Sequence, residues 1–100
     1  NMQAMMKKVQ KMQTDMSKAQ EALKKRSVEA TVGGGAVTVV VSGRKELVSI
    51  KINPDAVDVD DIEMLEDMIV SAVNEGIRQA DEMSEKEMVK ITGGMKLPGM

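Results

Sequence analysis

Apolar side chains in the first 26 residues recur at alternating steps of three and four, and neither glycine nor proline interrupts them. This spacing places them on one narrow stripe of an α-helix, at the a and d positions of a heptad repeat. The pattern predicts a helix over residues 2–26 whose stripe packs on another helix. The stripe consists of Met2, Met5, Val9, Met12, Met16, Ala19 and Leu23. Five of them are the expected core or dimer contacts: Met5, Val9, Met12, Met16 and Leu23.

Three short runs rich in β-branched residues follow, and they predict strands over residues 28–33, 36–42 and 46–52. The glycine triplet 33–35 joins the first two runs and Ser42-Gly43 begins the second connection, so an antiparallel meander is expected. Because side chains alternate between the faces of a strand, one face of the sheet should be the core side. That face is predicted to carry Val37, Val39 and Val41, with Val48, Ile50 and Ile52 opposite them, while Val40 and Leu47 lie on the other face.

A second helical pattern runs over residues 60–91 and ends before Gly93-Gly94. Asp60 and Glu63 have the spacing of a capping box at its start. The chain is thus predicted to be a single α+β domain over residues 1–92, in the order α-β-β-β-α, with a flexible tail over residues 93–100.

The predicted helices are long for so small a protein. About 30 helical residues measure roughly 45 Å, whereas a compact domain of 100 residues has a radius of gyration near ~13 Å. Three arrangements resolve this difference: both helices project beyond the sheet, the second helix kinks at Gly76, or the helices pack on a second copy of the chain. A dimer accounts for the apolar stripe and the helix length together.

Charge is divided unequally along the chain. The first 26 residues carry seven basic and two acidic side chains, a local charge of +5, whereas the other 74 carry seven basic and 14 acidic ones, a local charge of −7. The overall charge of −2 conceals this polarity. It suggests a polyanion held at one end of the protein.

The composition excludes many classes of function. Without Cys or His the chain has no disulfide, no imidazole catalyst and no ordinary zinc or haem site, so we expect neither an enzyme, a metal site nor a cofactor. Without aromatic residues it has no platform for stacking bases, so any nucleic acid should be held mainly by its phosphates. No apolar run approaches the roughly 20 residues of a membrane span, which leads us to expect a cytoplasmic protein without a membrane or a small-molecule substrate.

Three further motifs have ordinary structural explanations. The glycine triplet precedes a valine strand instead of a Gly-Lys-Ser/Thr helix start, so it predicts a hairpin turn and not a phosphate loop. The acidic run over residues 55–67 lacks the spacing of a calcium loop and suits the start of a helix. The methionines of the first helix are soft enough to bind Cu(I), but packing of the stripe explains most of them.

Lysines also follow a helical spacing. Lys11, Lys18 and Lys25 occupy successive c positions, which makes a straight basic column with steps of about 10 Å. The alternative is a solvated helix face held by ion pairs from Lys11 to Asp15 and from Glu21 to Lys25, each contributing a few tenths of a kcal/mol. The sequence leaves both interpretations open.

Several motifs follow one another over nearly the whole chain: the basic helix, Gly33-Gly34-Gly35 with alternating valines, Ser42-Gly43, Ile50-Lys51-Ile52-Asn53-Pro54, Met64-Leu65-Glu66-Asp67, Ala72-Val73-Asn74-Glu75 and Leu97-Pro98-Gly99. Their order and spacing resemble the YbaB/EbfC family of bacterial nucleoid-associated proteins. The resemblance implies an obligate homodimer with helices projecting like tweezers, which binds double-stranded DNA in the nucleoid with little or modest sequence preference.

In that family the projecting helices are the proposed DNA-contacting elements. By resemblance and by the basic column, the DNA-binding residues here are Lys7, Lys8, Lys11, Lys18 and Lys25, and the weaker candidates are Lys24, Arg26, Lys86 and Lys90. The predicted function is therefore to bind duplex DNA as a homodimer and to organise or bend it. The alternative, from another class, is an adaptor or chaperone-like protein whose helical arms hold a protein partner.

Overall fold

A computed structural model describes residues 1–92 of the chain. Helix α1 (Met2–Lys24) is followed by strands β1 (Ser27–Val32), β2 (Val37–Ser42) and β3 (Leu47–Ile52), a short 3-10 helix (Pro54–Ala56) and helix α2 (Ile62–Thr92). The strands form one antiparallel sheet in the order β1-β2-β3. The predicted α-β-β-β-α architecture is confirmed, whereas the tail predicted over residues 93–100 lies outside the described residues.

The two helices differ from their predicted bounds by up to two residues. Helix α1 ends at Lys24 instead of residue 26, where the amides of Lys25 and Arg26 bond back to the last carbonyls of the helix. Helix α2 begins at Ile62 instead of residue 60, because the amides of Asp60 and Asp61 bond to the side chain and the carbonyl of Asp58. These two bonds form a turn that delays the helix.

The predicted capping box at Asp60 and Glu63 is therefore wrong. The residue before the helix is Asp61, and its Oδ1 accepts a hydrogen bond from the amide of Met64 at 3.3 Å. An acceptor at this position satisfies one of the free amides of the first turn. Asp61 is the N-cap of α2.

The hairpin between β1 and β2 has the predicted glycine turn. Gly33, Gly34 and Gly35 have φ angles of +65°, +65° and +103°. Glycine adopts this left-handed region without the steric cost that a Cβ imposes. The prediction of a turn at the glycine triplet is confirmed.

The register of β2 and β3 agrees with the predicted pairing at one end and departs from it at the other. Val37 lies opposite Ile52 and Val39 opposite Ile50, so these residues share a face as predicted. An irregularity beside Val41 then places Leu47 opposite Val41, so the predicted pairing of Val48 with Val41 and the predicted face of Leu47 are wrong. The extra residue of a bulge is not visible in an alternating pattern.

Helix α2 covers the face of the sheet formed by β1 and β2. Val37, Val39 and Val41 are fully buried beneath it, together with Ala72 and Ala80 of the helix itself. Gly76 lies between these alanines, and a Cβ placed there would stand 2.7 Å from Cγ2 of Val41 and 3.1 Å from Cγ2 of Val39. Gly76 thus allows close approach of helix and sheet, and α2 continues through it as one helix.

Strand β3 lies outside this cover. Its apolar side chains remain partly exposed, with Leu47 at 45%, Val48 at 62%, Ile50 at 40% and Ile52 at 38%. Ile50 and Ile52 share the face of the buried valines of β2, so the uncovered area continues the core surface to the edge of the sheet. We call these four residues the β3 face.

The molecule is elongated, with principal extents of 70 × 21 × 17 Å and a radius of gyration of 18.9 Å. Residues 1–11 at the start of α1 are all exposed, whereas Leu23 near its end is buried. Of the three arrangements expected for the long helices, the structure shows projection.

Within residues 1–92, none of the helices has the length and apolar content that crossing a bilayer requires.

Candidate nucleic-acid interface

The first ten residues of α1 form an exposed arm. We define the arm as residues 2–11. The side chain of Asn1 caps it by accepting a hydrogen bond from the amide of Ala4 at 2.8 Å. Helix α1 packs on α2 farther along, where Met12, Met16 and Ala19 are partly buried and Leu23 is buried. The arm therefore stands clear of the rest of the described chain.

Lys7, Lys8 and Lys11 are the basic residues of the arm, and all three are exposed. Lys7 and Lys8 form no ion pair with any residue of the described range 1–92. The ammonium of Lys11 lies 3.4 Å from Oδ2 of Asp15, and the Lys11 side chain keeps 80% of its exposure. Such an exposed pair contributes little stability, so it leaves Lys11 available to another anion.

Lys18 and Lys25 continue the column from Lys11 toward the sheet. Both are exposed and line one shallow depression of about 510 Å³ with Glu21 between them. Of the two ion pairs predicted for this face, that of Lys11 with Asp15 is present, but that of Glu21 with Lys25 is wrong. Oε1 of Glu21 instead lies 2.8 Å from Nζ of Lys24, which is the last residue of α1, whereas Lys25 lies beyond the end of the helix.

Three of the weaker candidates for DNA binding form ion pairs with carboxylates. Nη1 of Arg26 and Nζ of Lys90 lie 3.0 and 3.1 Å from the same oxygen of Glu87, and Lys24 is held by Glu21. The hydrogen bonds from Lys90 and Arg26 hold the pKa of Glu87 below its usual value. Lys86, the fourth, is exposed and forms no ion pair within residues 1–92.

Helix α2 carries a carboxylate-rich surface, and its one arginine, Arg78, is paired with two of these carboxylates. Nε of Arg78 donates to Oε2 of Glu75 at 2.9 Å, and its Nη1 pairs with Glu82. The bond from Arg78, followed by a bond from Gln79, lowers the pKa of Glu75 to about 2. A cation with two carboxylate partners offers a phosphate little attraction, so this part of α2 does not extend the basic surface.

The predicted stripe of apolar residues divides into two parts. Leu23 is buried and Met12 and Met16 are partly buried where α1 packs on α2, whereas Met5 and Val9 are exposed on the arm. Met5 and Val9 line an open apolar depression with Met2 and Met6. A dimer contact for Met5 and Val9 stays a prediction.

Two basic residues were missed by the sequence analysis, which treated them as part of a turn. Arg44 and Lys45 connect β2 to β3 and lie beside Lys24, with which they line a depression of about 390 Å³. Neither belongs to a helical repeat, so the periodicity of the lysines gave no signal for them.

In residues 1–92 there is no cluster of acidic side chains arranged to hold a metal ion.

Comparison with known proteins identifies relatives over the whole chain. The family model described as the YbaB/EbfC DNA-binding family matches residues 1–95. A nucleoid-associated protein of Alkaliphilus metalliredigens is 60% identical over all of this chain and 88% of its own length. One from Desulforamulus reducens is 58% identical over all of this chain and 95% of its own length.

A solved structure also matches the fold. The crystal structure of an uncharacterized protein from Helicobacter pylori superimposes with a TM-score of 0.72 at 26% identity. The superposition covers 85% of this chain and 89% of the other. The similarity therefore extends to the elongated α-β-β-β-α architecture.

Proposed function

The chain belongs to the YbaB/EbfC DNA-binding family, and on that premise we propose that it is a nucleoid-associated protein that holds double-stranded DNA as a homodimer, through lysines of α1. The proposed contacts are Lys7, Lys8, Lys11, Lys18 and Lys25. They are directed to phosphates, because ammonium groups on an exposed helix attract the backbone whatever the base sequence. Little or modest sequence preference follows.

The observation that carries this proposal is the position of the unpaired lysines. Lys7 and Lys8 lie on an arm that no other described residue covers, while most acidic residues belong to the segments after α1. A phosphate backbone approaching the arm therefore meets cations before it meets carboxylates. Charge separation of this kind directs a polyanion to one end of a protein whose overall charge is −2.

The homodimer is supported by the β3 face. Leu47, Val48, Ile50 and Ile52 extend the core beyond the cover of α2, and a soluble monomer rarely leaves a contiguous apolar surface of this kind exposed. A second copy meeting the same face of the first would bury it, as in most isologous dimers. Two arms on one dimer would then grip the duplex at two points and organise or bend it.

A charge-reversal experiment tests the role of the lysines. Lys11→Glu combined with Lys18→Glu should weaken binding to every duplex sequence alike and reduce its salt dependence, because phosphate contacts release counterions. The measurement is duplex affinity by fluorescence anisotropy of labelled DNA at several salt concentrations.

Lys18→Glu is also made as a single variant, and Lys51→Glu is its control. Lys51 lies on β3, is exposed like Lys18, and also forms no ion pair within residues 1–92. The Lys51→Glu variant should bind DNA as tightly as the unmodified protein does, provided that the dimer mass is unchanged. Salt-independent affinity, or unchanged binding by the double reversal, would contradict the proposed mechanism.

A second candidate function is favoured by the apolar side chains of the arm. Met2, Met5, Met6 and Val9 are exposed, and flexible methionines suit a protein partner. If the arm holds a protein, Met5→Asp should abolish capture of that partner while lysine reversal should not. If the arm holds DNA, Met5→Asp should reduce duplex affinity less than Lys11→Glu does.

A further inference from the structure

The end of α1 is fixed against the turn between β2 and β3. The amide of Gly43 donates to the carbonyl of Arg26 at 2.9 Å, and a Cβ at Gly43 would stand 1.8 Å from the carbonyl oxygen of Leu23. Only a glycine permits this approach of two backbones. The last residues of α1 and the turn therefore keep one relative position.

The turn itself is held by several hydrogen bonds. The hydroxyl oxygen of Ser42 accepts from the amides of Arg44 and Glu46 at 3.2 and 3.3 Å. The amide of Lys45 donates to the carbonyl of Ser42 at 2.8 Å, with Lys45 itself in the left-handed region at φ +63°. Arg44 and Lys45 are thus presented from a defined backbone.

Basic side chains from two segments converge at this junction. Lys24 from α1 and Arg44 and Lys45 from the turn line the depression of about 390 Å³, and each keeps about half of its side-chain exposure. Their ion pairs are surface pairs: Lys24 with Glu21, Arg44 with Glu46 at 3.6 Å, and Lys45 with Asp81 at 2.9 Å. Pairs of this kind are weak enough for a phosphate to replace the carboxylate.

The junction adjoins the basic column at Glu21, which pairs with Lys24. The hydrogen bond from Lys24, followed by the charges of Lys24, Lys25 and Arg44, lowers the pKa of Glu21, which lies between Lys18 and Lys25. One carboxylate is thus within range of cations from both the helix and the turn.

The distances suit a duplex that follows α1. From Lys8 to Lys24 the helix rises about 24 Å at 1.5 Å per residue, less than the roughly 34 Å of one turn of B-DNA. A duplex held by the arm would therefore reach the junction within one helical turn. Contacts at both places would fix the direction of the DNA relative to the sheet, which a single contact on a projecting helix does not do.

We propose that the β2–β3 turn, through Arg44 together with Lys24 at the end of α1, is a second phosphate-contacting site for double-stranded DNA. This inference rests on the proposed function, since it extends the interface from the arm to the body of the protein. It assigns the arm to capture of the duplex and the junction to its orientation.

The test is Arg44→Gln, with Arg78→Gln as its matched control. The two arginines have 56% and 57% side-chain exposure and lose the same charge, but Arg78 lies on α2 between two glutamates. Loss of one phosphate contact should reduce the slope of log affinity against log salt by about 0.9 and weaken binding roughly tenfold near ~0.1 M salt. Lys24→Gln should give a similar loss, and Arg78→Gln none.

The results distinguish this inference from the proposed function. If the Lys11/Lys18 reversal weakens binding but Arg44→Gln and Lys24→Gln behave like Arg78→Gln, the second site is overturned and the proposed contacts of Lys11 and Lys18 are retained. If Arg44→Gln weakens binding but the Lys11/Lys18 reversal does not, the junction holds the duplex and the proposed role of Lys11 and Lys18 is overturned. Absence of duplex binding by the unmodified protein would overturn both. Thermal unfolding by circular dichroism, expected to be unchanged in all three neutral variants, verifies that the comparison is between folded proteins.

Discussion

At the scale of single residues, Gly76 shows how an apparent defect in a helix becomes a packing requirement. In a sequence, a glycine within a helical repeat indicates a weak point or a kink, because glycine costs up to about 1 kcal/mol relative to alanine. In the structure, a Cβ at this position would stand 2.7 Å from Cγ2 of Val41 and 3.1 Å from Cγ2 of Val39. The reason for the glycine is on the neighbouring strand, so it cannot be seen in the helix sequence alone.

We expect Gly76→Ala to destabilise the protein by about 1–3 kcal/mol, because the added methyl group overpacks a contact of 2.7 Å and outweighs the gain in helix propensity. Urea unfolding followed by circular dichroism measures the change. Ser71→Ala, at an exposed position of the same helix, is the control and should change stability by less than about 0.5 kcal/mol. A more stable Gly76→Ala protein would contradict the packing described.

At the scale of elements, periodicity predicted all five main elements, with boundaries within two residues of those observed. Hydrophobic repeats specify such elements because they state which face is buried. They do not specify how an element begins or where a strand gains a residue. The bulge beside Val41 and the Asp58 turn before α2 are set by backbone hydrogen bonds, which leave no repeat in the sequence.

The start of α2 offers a prediction at this scale. Asp61→Ala should cost about 1 kcal/mol, because it removes the acceptor for the amide of Met64, whereas Asp60→Ala should have a much smaller effect. Thermal or urea unfolding of the two variants measures the difference. Equal effects, or a larger loss from Asp60→Ala, would favour the capping box that the sequence suggested.

The lysines of α1 illustrate what sequence can and cannot show about a site. Heptad spacing placed Lys11, Lys18 and Lys25 on one face, and the structure leaves all three exposed. The same spacing gave no indication of Arg44, because a turn has no repeat and its approach to Lys24 depends on the fold of the sheet. Of the two ion pairs that the sequence predicted, Lys11 with Asp15 is present, but Glu21 pairs with Lys24 instead of Lys25.

At the scale of the whole molecule, an arm projects from a small body whose sheet retains the uncovered β3 face. The two features are complementary, because a dimer through the sheet leaves both arms free to contact a duplex. The sequence predicted surplus apolar surface but assigned it to the helix stripe. The structure instead leaves apolar surface both on the arm and on β3.

Ile50→Asp should therefore shift the protein from dimer to monomer, since it places a charge in the proposed interface while the residue is already 40% exposed in the single chain. Analytical ultracentrifugation gives the mass, and Val70→Asp, at an exposed apolar position of α2, is the control. Duplex affinity should fall with the loss of the second arm. A dimer that survives Ile50→Asp would place the interface elsewhere.

The central claim is that α1 lies against the DNA, and site-directed photo-crosslinking tests it most directly. The chain has no cysteine, so Thr14→Cys between Lys11 and Lys18 accepts a single crosslinker, and Ser71→Cys on α2 serves as the control. Bound to duplex DNA at low salt, the Thr14 derivative should crosslink to the DNA efficiently and the Ser71 derivative should not. Crosslinking from Ser71 alone, or from neither site while the duplex is bound, would contradict the account.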